Sequence, residues 1–535
     1  PDPCQCFNLI KVNGFYALAA QNSLDQVEDA GDQVVEKGPA YAAVATTPPT
    51  DADSPAAAAP AATDAKGPAW HPPIYPPDPR EWPTYRGNVT RSGSTTVPVP
   101  AALKVRWRAR IGGALTAPVV ADGKLFLCAK DAHTVHCLDA DTGEPIWQVA
   151  AGGRVDSPPT VYDGLCVFGC GDGSVYCLRA SDGQLVWRFR AAPVDRRIVA
   201  DSRLESVWPI SGSVLVREGV VYVAAGRSSY LDGGIRLFAL DARSGKKLHE
   251  TTVSAVPVQP GKPRPKEGSV GALPDVLVSD GASVTMRHLQ FDGDLNLQPA
   301  AQLRTLCATT GLLEDAWFHR QNWVLGHRGT INSQAHPGSL GTQTNAVNSA
   351  ASKLIVFDAD AAYGVKNPYS WQKHSRDLWP ADHEGHLHQK YSRYEAEHFP
   401  VGVRIAATPN QAAPASPREK QRGKARTPAP KPAAFAWSVQ QPIQPRAMLL
   451  AGDVLFLAGW RDALAVQTKT GRPLDTDDPD PRPTFLWVLS AADGKTLNEY
   501  PLAAEPVFDG LAAAYGRLYL PMKDGTVTCW ASPTP

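Results

Sequence analysis

The sequence predicts an all-β fold, a β-propeller of seven or eight blades with eight preferred, preceded by a short N-terminal appendage. The first observation is a phrase at 135–147 that returns in similar form at 175–187, 40 residues later. Each copy has a strand, a tight turn and a second strand that ends in tryptophan. The second observation is the composition, because Gly 44 and Pro 49 suit a turn-rich chain. A fixed period near 40 of this kind is typical of propeller blades.

Each copy of the phrase predicts a β-hairpin. In the second copy, residues 175–178 are apolar strand formers and 181–183 supply the turn. Gly183 suits a turn that needs a positive φ, which costs glycine little. Trp187 ends the returning strand, where a large indole can pack between adjacent sheets and bury area that one sheet alone could not.

Further repeats extend the pattern along the chain. Two strands joined by a turn recur at 118–127, 159–168 and 214–223, and weaker copies follow at 275–284, 353–365, 448–457, 486–497 and 511–530. The last copy contains Trp530 and resembles the second blade. We expect an early strand, at 105–108, to complete the final blade and close the ring.

The composition divides the chain into three parts. Residues 1–40 form an appendage with a short helix predicted within 15–34, and the Pro/Ala-rich residues 41–80 are expected to form an extended linker. The propeller is expected to span 81–533, with insertions at 366–405 and 409–433. The second insertion is basic and is expected to be a solvated loop, with contact to an anionic polymer as the alternative.

The charge balance excludes some classes of partner. Lys+Arg and Asp+Glu are equal at 53 each, so no global field favours nucleic acid or an anionic membrane. No apolar run is long enough to span a bilayer, so no transmembrane segment is predicted. No signal-peptide pattern is visible. A targeting segment, if one existed, is expected to have been processed or trimmed.

The nine cysteines do not have the spacing of a disulfide scaffold. Those in or beside predicted strands are expected to be buried thiols, with a Cys166–Cys170 bridge as the alternative. Cys4 and Cys6 lie outside the propeller, where a disulfide or a metal site stays open.

The repeat phrase resembles the pyrroloquinoline-quinone-like (quinoprotein-like) β-propeller family. The start of the propeller at 81–88 is similar to the entry motif of extracytoplasmic members, and 203–209 with 315–320 resemble a largely uncharacterised bacterial branch. Related folds include quinoprotein alcohol dehydrogenases and the propeller lipoprotein of the outer-membrane barrel assembly machinery. The resemblance implies a periplasmic or otherwise extracytoplasmic location. The resemblance predicts the fold of this chain better than its function, because one fold hosts many functions.

The sequence departs from the quinone-dependent relatives. It contains no Cys-Cys pair to pack against pyrroloquinoline quinone, and no Cys-x-x-Cys-His motif for haem attachment. The calcium ligands that the quinone needs could not be assigned. We therefore predict neither a quinone nor a haem cofactor, and a divalent metal stays open.

A histidine-rich stretch is the candidate metal site. His383, His386 and His388 could share a divalent ion, because residues two apart on a strand point to the same face. The alternative is a polar insertion over one rim of the disc.

Catalytic residues are predicted only if the protein is an enzyme. They are His319, Arg320, Tyr391 and Tyr394, as acid–base groups and as an oxyanion partner for β-elimination on a uronate polymer.

Arginine and tryptophan supply the candidate ligand-binding residues. Arginine suits carboxylates and tryptophan suits sugar rings, so an acidic glycan would fit them. The predicted residues are Arg197, Arg203, Trp208 and Trp323. Pairing of these side chains with neighbouring loops is the alternative.

Three functional hypotheses follow. The first is a non-catalytic binding or assembly platform outside the cytoplasm, which docks a protein partner on one propeller face and exposes an apolar patch there. The second is a metal-assisted lyase or hydrolase acting on an acidic polysaccharide. The third is a quinone-dependent dehydrogenase.

Overall fold

The computed structural model describes residues 35–45, 78–200, 203–229, 231–254, 274–287, 289–298, 304–308, 323–327, 350–352, 354–366, 403–409, 436–441, 443–461 and 483–533. The predicted helix within 15–34, most of the predicted linker and nearly all of both predicted insertions lie outside these residues. None of the described helices is long and apolar enough to cross a membrane.

The described chain is almost entirely β-structure. Its first half contains β1 (Val35–Lys37), α1 (Tyr41–Ala45), β2 (Ser94–Thr95), β3 (Lys104–Arg110), β4 (Val119–Ala121), β5 (Lys124–Ala129), β6 (Thr134–Asp139), β7 (Pro145–Ala150), β8 (Thr160–Tyr162), β9 (Leu165–Gly169), β10 (Ser174–Arg179), β11 (Leu185–Arg190), β12 (Arg197–Ala200), β13 (Arg203–Ser206), β14 (Leu215–Arg217), β15 (Val220–Ala225), β16 (Ile235–Asp241) and β17 (Lys247–Val253).

The second half contains β18 (Val278–Ser279), β19 (Val284–Met286), β20 (Leu289–Phe291), β21 (Arg304–Ala308), β22 (Trp323–His327), β23 (Ala350–Ser352), β24 (Ile355–Phe357), β25 (Ala361–Lys366), β26 (Val403–Pro409), β27 (Trp437–Gln441), β28 (Ile443–Ala451), β29 (Val454–Arg461), β30 (Thr484–Ser490), β31 (Thr496–Leu502), β32 (Ala512–Ala514), β33 (Arg517–Pro521) and β34 (Thr526–Ala531).

These strands form consecutive antiparallel sheets, which are the blades of a β-propeller. In chain order the first to eighth sheets are β4–β7, β8–β11, β14–β17, β18–β20, β21–β23, β24–β27, β28–β31 and β32–β34. The first strands of neighbouring sheets contact each other, as β4 does with β8 and with β32. The fourth and fifth sheets have three strands each within the described residues, so the preferred count of eight blades stays a prediction.

The ring closes as the sequence predicts. Strand β3 pairs antiparallel with β34, with Trp107 opposite Cys529, and so becomes the outer strand of the eighth sheet. Pairing of an early strand with the last one leaves no gap in the ring, so it resists opening at that junction. The weaker repeats predicted at 448–457 and 511–530 are likewise strand pairs, in the seventh and eighth sheets.

Four tryptophans join one sheet to the next. Each indole N–H donates to a backbone carbonyl of the following sheet, and each ring packs against a glycine in that sheet's turn. The sets are Trp107 with Ala140 (3.2 Å) and Gly143, Trp147 with Ala180 (3.0 Å) and Gly183, Trp187 with Ala242 (2.9 Å) and Gly245, and Trp437 with Ala491 (2.8 Å) and Gly494. The predicted packing of indoles between adjacent sheets is confirmed at these four junctions.

The turn glycines in these sets are required for two reasons. Gly183 has φ +73°, and a Cβ there would lie 2.8 Å from the Trp147 ring. Gly245 has φ +67°, and its Cβ would lie 2.6 Å from the Trp187 ring. A side chain at either position would strain the backbone and displace the indole. The repeated glycine therefore serves the turn and the blade interface together.

Residues 35–45 pack on the second sheet, and we call them the arm. Strand β1 pairs antiparallel with β11, and Ala40 is only 1% exposed in the core between the second and third sheets. The linker was predicted to begin at residue 41. In the structure, the helical turn α1 continues the packing to Ala45, because apolar residues follow Ala40.

Candidate functional site

The axis of the propeller is occupied by the chain's own residues 82–94, which we call the axial segment. The first strand of each sheet turns an inner edge towards the axis, and buried backbone groups there require partners. The axial segment supplies several of them. Its backbone hydrogen bonds join Trp82 to Val120 in both directions (2.8 Å each), Pro83 to Val161 (2.8 Å), Val89 to Ser279 (2.9 Å), Ser92 to Phe357 (3.0 Å) and Gly93 to Leu450 (3.0 Å).

A buried ion pair fixes the middle of the axial segment. Arg86 donates from Nη1 to both carboxylate oxygens of Asp509, at 2.8 and 2.6 Å, and each side chain is at most 3% exposed. Its other nitrogens donate to the backbone carbonyls of Arg91 and Ile355. The guanidinium also lies over the ring of Trp323, 5.3 Å from its centre. The buried charge is therefore well compensated.

Arg91 extends these contacts to other sheets. It is fully buried and donates to the backbone carbonyls of Leu277 and Val214, at 3.2 and 3.1 Å, beside the fourth and third sheets. Arg86 and Arg91 have φ of 60° and 55°, a region that non-glycine residues rarely adopt. The buried hydrogen bonds of both guanidinium groups hold the backbone in this conformation.

Tyr85 completes the axial contacts. Its hydroxyl donates to Asp509 at 2.7 Å. Burial raises the pKa of this hydroxyl well above its usual value, and the negative charge of Asp509 acts in the same direction. Tyr85 therefore stays protonated as a hydrogen-bond donor. The axial segment thus carries strong polar chemistry, but all of it is satisfied within the protein.

The exposed chemistry lies on a β-hairpin formed by β12 and β13, between the second and third sheets. Val199 and Leu204 face each other across its two strands and are 56% and 60% exposed. Side chains that are directly opposite in an antiparallel pair lie on the same face. They form one apolar patch, and we call the hairpin with this patch the docking hairpin.

Ion pairs hold the docking hairpin to the blades on either side. Arg203 pairs with Asp131 (2.9 Å), in the turn between β5 and β6 of the first sheet. Glu205 pairs with Arg227, which follows β15 of the third sheet. The amide of Ser206 donates to the carbonyl of Gly171 (2.8 Å), in the turn between β9 and β10 of the second sheet.

These three anchor points lie on one face of the propeller. Each belongs to the connection between the second and third strands of its sheet, and such connections emerge at the same end of every blade. A two-stranded hairpin is only marginally stable on its own. Anchoring to three sheets gives it a defined position.

Charged groups surround the apolar patch. Arg154 bridges Asp156 (2.8 Å) and Asp131 (3.6 Å), the aspartate that also pairs with Arg203 of the hairpin. Burial raises the pKa of Asp156, and the charge of Arg154 opposes that rise. Arg197 at the start of β12 is exposed and pairs with Asp195 at 3.1 Å. The surface has an apolar centre and a charged rim, which is the usual layout of a protein-binding site.

The four described ligand-binding candidates have different environments. Arg197 and Arg203 belong to the docking hairpin, where the structure pairs both with aspartates. Trp208 is 4% exposed and donates its indole N–H to the carbonyl of Asp232 at 2.9 Å. Trp323 is 1% exposed, beneath Arg86. Both tryptophan rings therefore pack inside the protein, and nothing in these positions supports an acidic glycan as partner.

The remaining site candidates lie outside the described residues. They are the catalytic candidates His319, Arg320, Tyr391 and Tyr394 and the metal candidates His383, His386 and His388. These assignments stay predictions.

The described residues do not fit a quinone held by a calcium ion. Within the described ranges, no group of three His, Cys, Asp or Glu residues is placed to hold a metal ion. The space between the first strands contains the axial segment, with Arg86 already paired to Asp509. The predicted lack of a quinone cofactor stays a prediction, since it also concerns residues beyond these.

Six cysteines confirm the expectation of buried thiols. They are free and buried at positions Cys128, Cys137, Cys166, Cys170, Cys177 and Cys529. Burial raises the pKa of Cys137 and of Cys529 to about 12, so these thiols are not ionised at neutral pH. The alternative of a Cys166–Cys170 bridge is wrong, because both thiols are free.

Arg197 and Arg203 of the docking hairpin were predicted from the sequence as ligand-binding residues, but the apolar patch was not predicted. The available signal was the apolar pair Val199 and Leu204, placed symmetrically about the two residues at 201–202. Such spacing predicts cross-strand neighbours in a tight hairpin.

Residues 101–262 match a family model described as outer membrane protein assembly factor BamB. No curated protein matches the chain.

Solved structures with a similar fold include BamB from Moraxella catarrhalis, at 12% identity and a TM-score of 0.43, with 80% of this chain and 100% of that chain covered. They also include the quinohemoprotein alcohol dehydrogenase from Comamonas testosteroni, at 14% identity and a TM-score of 0.46, with 84% of this chain and 80% of that chain covered. The matched residues 101–262 include the first three sheets, and this part of the chain is similar to the family of that model.

Proposed function

We propose that this protein is a non-catalytic binding or assembly platform in an extracytoplasmic compartment, and that the docking hairpin receives a protein partner. The observation that carries the proposal is the exposed pair Val199 and Leu204 on a hairpin anchored to three sheets. The match of residues 101–262 to a model named for an outer-membrane assembly factor supports both the role and the compartment.

The chemistry of the docking hairpin favours a protein over a small ligand. The patch is an exposed pair of side chains on a hairpin, whereas small molecules usually bind in concave pockets. A few residues near the centre of an interface contribute most of the binding energy in protein complexes, while the surrounding charges exclude wrong partners. The partner is expected to offer an apolar recess with polar groups around it.

Photo-crosslinking in the native host tests this proposal. A benzophenone amino acid replaces Leu204, and the matched control carries it at Leu297, which is 57% exposed beside the fourth sheet. We expect a discrete crosslinked partner from position 204 and none from 297. Val199→Asp in the same chain should abolish the crosslink, because the partner's recess would then have to bury a charge.

Two results would overturn the proposal. One is the same crosslinked products from positions 204 and 297, which would indicate chance encounters. The other is a crosslink at 204 that Val199→Asp leaves unchanged. Fractionation of the same cells tests the compartment, since an extracytoplasmic protein should be released with the periplasmic or membrane fraction.

A further inference from the structure

The outer edge of the second sheet differs from the equivalent edges of other sheets, because the arm covers it. Strand β1 pairs with β11 in the register Val35–Phe189, Glu36–Arg188 and Lys37–Trp187. Within the described residues, no strand pairs with the outer edges of β7, β17 or β31. The edge of β11 is therefore a strand-binding site with its ligand in place.

Equivalent residues of four sheets show what the arm covers. The third residue after the turn glycine is apolar in each case: Ile146, Val186, Leu248 and Leu497. Ile146, Leu248 and Leu497 are 44%, 43% and 46% exposed, whereas Val186 is fully buried in one cluster with Ala40. The repeat thus presents an apolar side chain near the outer edge of each of these sheets, and in the second sheet it is covered.

The arm continues past β1 with a close backbone approach. The amide of Gly38 donates to the carbonyl of Val186 (2.8 Å), and that of Ala40 donates to the carbonyl of Leu185 (3.1 Å). A Cβ at position 38 would lie 2.1 Å from the Leu185 carbonyl oxygen. Only glycine fits there, and Ala40 then enters the core.

Charge distinguishes this edge from the others. Glu36 pairs with Arg188 at 2.6 Å. The residue equivalent to Arg188, five after the turn glycine, is Gln148 in the first sheet, Glu250 in the third and Glu499 in the seventh. An arm that carries Glu36 would meet a like charge on the third and seventh sheets, so the second sheet is selected.

We propose that the outer edge of β11 is a peptide-binding site for an extended segment with an acidic residue, a glycine two residues later and an alanine two residues after that. The arm is its resident ligand and exchanges with a segment of the same pattern supplied in trans. Recognition is by strand addition, in which backbone hydrogen bonds give affinity and the side chains at alternate positions give specificity. This site is separate from the docking hairpin and does not rest on the proposed function.

A peptide-binding experiment on the full chain tests the inference. Gly38→Leu in the protein displaces the arm and leaves the edge open, and circular dichroism checks that the variant is folded. A fluorescent peptide with the sequence of residues 35–45 is then titrated against it, and its anisotropy is measured. We expect saturable binding to the variant and at least tenfold weaker binding to the unmodified protein, whose own arm competes.

Matched variants identify the site and the pattern. A peptide that carries Gly38→Leu should not bind. Arg188→Glu, added to the Gly38→Leu protein, should weaken the binding of the unmodified peptide. A peptide with Glu36→Arg should recover the lost affinity for this double variant. No saturable binding to the folded Gly38→Leu protein would overturn the proposal. The proposal would also be overturned if the Gly38→Leu peptide bound as tightly as the unmodified peptide. The same holds if Arg188→Glu and Glu36→Arg left the affinity unchanged.

Discussion

The axial segment and the arm both lie outside the blades and both pair with the edges of sheets, yet they differ in burial and in reach. The axial segment bonds to the first strands of several sheets, and its Arg86–Asp509 pair is almost fully buried. The arm contacts the second sheet and its neighbour, and its Glu36–Arg188 pair is about half exposed. Strand-edge pairing can therefore either hold a whole ring together or attach a local ligand.

The same backbone hydrogen bonding has different consequences at the inner and the outer edges of the sheets. At the inner edges the first strands converge, so one short segment can reach many blades. At the outer edges the sheets diverge, so a segment such as the arm reaches one edge. Removal of the axial contacts should therefore destabilise the whole propeller, while removal of the arm should have a local effect.

The largest expected effect comes from the buried ion pair. Asp509→Ala leaves the Arg86 guanidinium buried without its carboxylate, and loss of one partner of a buried pair typically costs about 3–5 kcal/mol of unfolding free energy. Urea denaturation followed by tryptophan fluorescence measures the change. Asp78→Ala is the control, because its partner Arg80 is exposed, and little change is expected there. Equal losses of unfolding free energy in the two variants would show that the buried axial pair stabilises the fold no more than an exposed pair does.

A glycine of the axial segment gives an intermediate effect. Gly87 has φ +89°, and a Cβ there would lie 3.0 Å from the Trp82 ring. Gly87→Ala should cost about 1–3 kcal/mol from backbone strain and crowding of the indole.

Gly112→Ala is the matched control for this variant. Gly112 has nearly the same φ, +91°, but a Cβ at this position would meet no atom within 4 Å, so the variant isolates the backbone contribution. The midpoint of urea unfolding should fall further for Gly87→Ala than for Gly112→Ala. A larger loss in the control would contradict tight packing at the axis.

The smallest expected effect concerns the arm. Glu36→Gln removes a half-exposed ion pair, so the unfolding midpoint should hardly change, since exposed pairs contribute about 0–1 kcal/mol. Hydrogen exchange should still detect the weaker attachment of the arm. We expect faster exchange at the amides of Gly38 and Ala40, which donate to carbonyls of β11. If Glu36→Gln lowered the midpoint as much as Asp509→Ala does, the arm would be an integral part of the ring.

The repeat phrase was sufficient to predict the propeller, because its information is local. Turn glycines such as Gly183 and strand-ending tryptophans such as Trp187 recur at fixed spacing, and both have the predicted roles. The pairing of residues 105–108 with the last blade was also predictable, since a ring needs a strand to close it.

The functional surfaces were harder to predict, because they depend on contacts between distant residues. Arg86 lies 423 residues from Asp509, and the resemblance of 81–88 to a family entry motif did not indicate that this stretch would occupy the axis. Trp208 and Trp323 were predicted to bind a ligand, but the fold buries both rings. A sequence shows that a tryptophan is present, and only packing decides whether its face is available.

The sequence by itself determined the blades, since a β-hairpin is specified by residues close together in the chain. The tertiary structure alone decided which side chains meet at the edges of those blades. Asp509 reaches Arg86, and Ala40 covers Val186, because the closed ring brings distant strands together. Burial and charge pairing are properties of that assembled ring, and they distinguish a buried axial segment, a covered strand edge and an exposed docking hairpin.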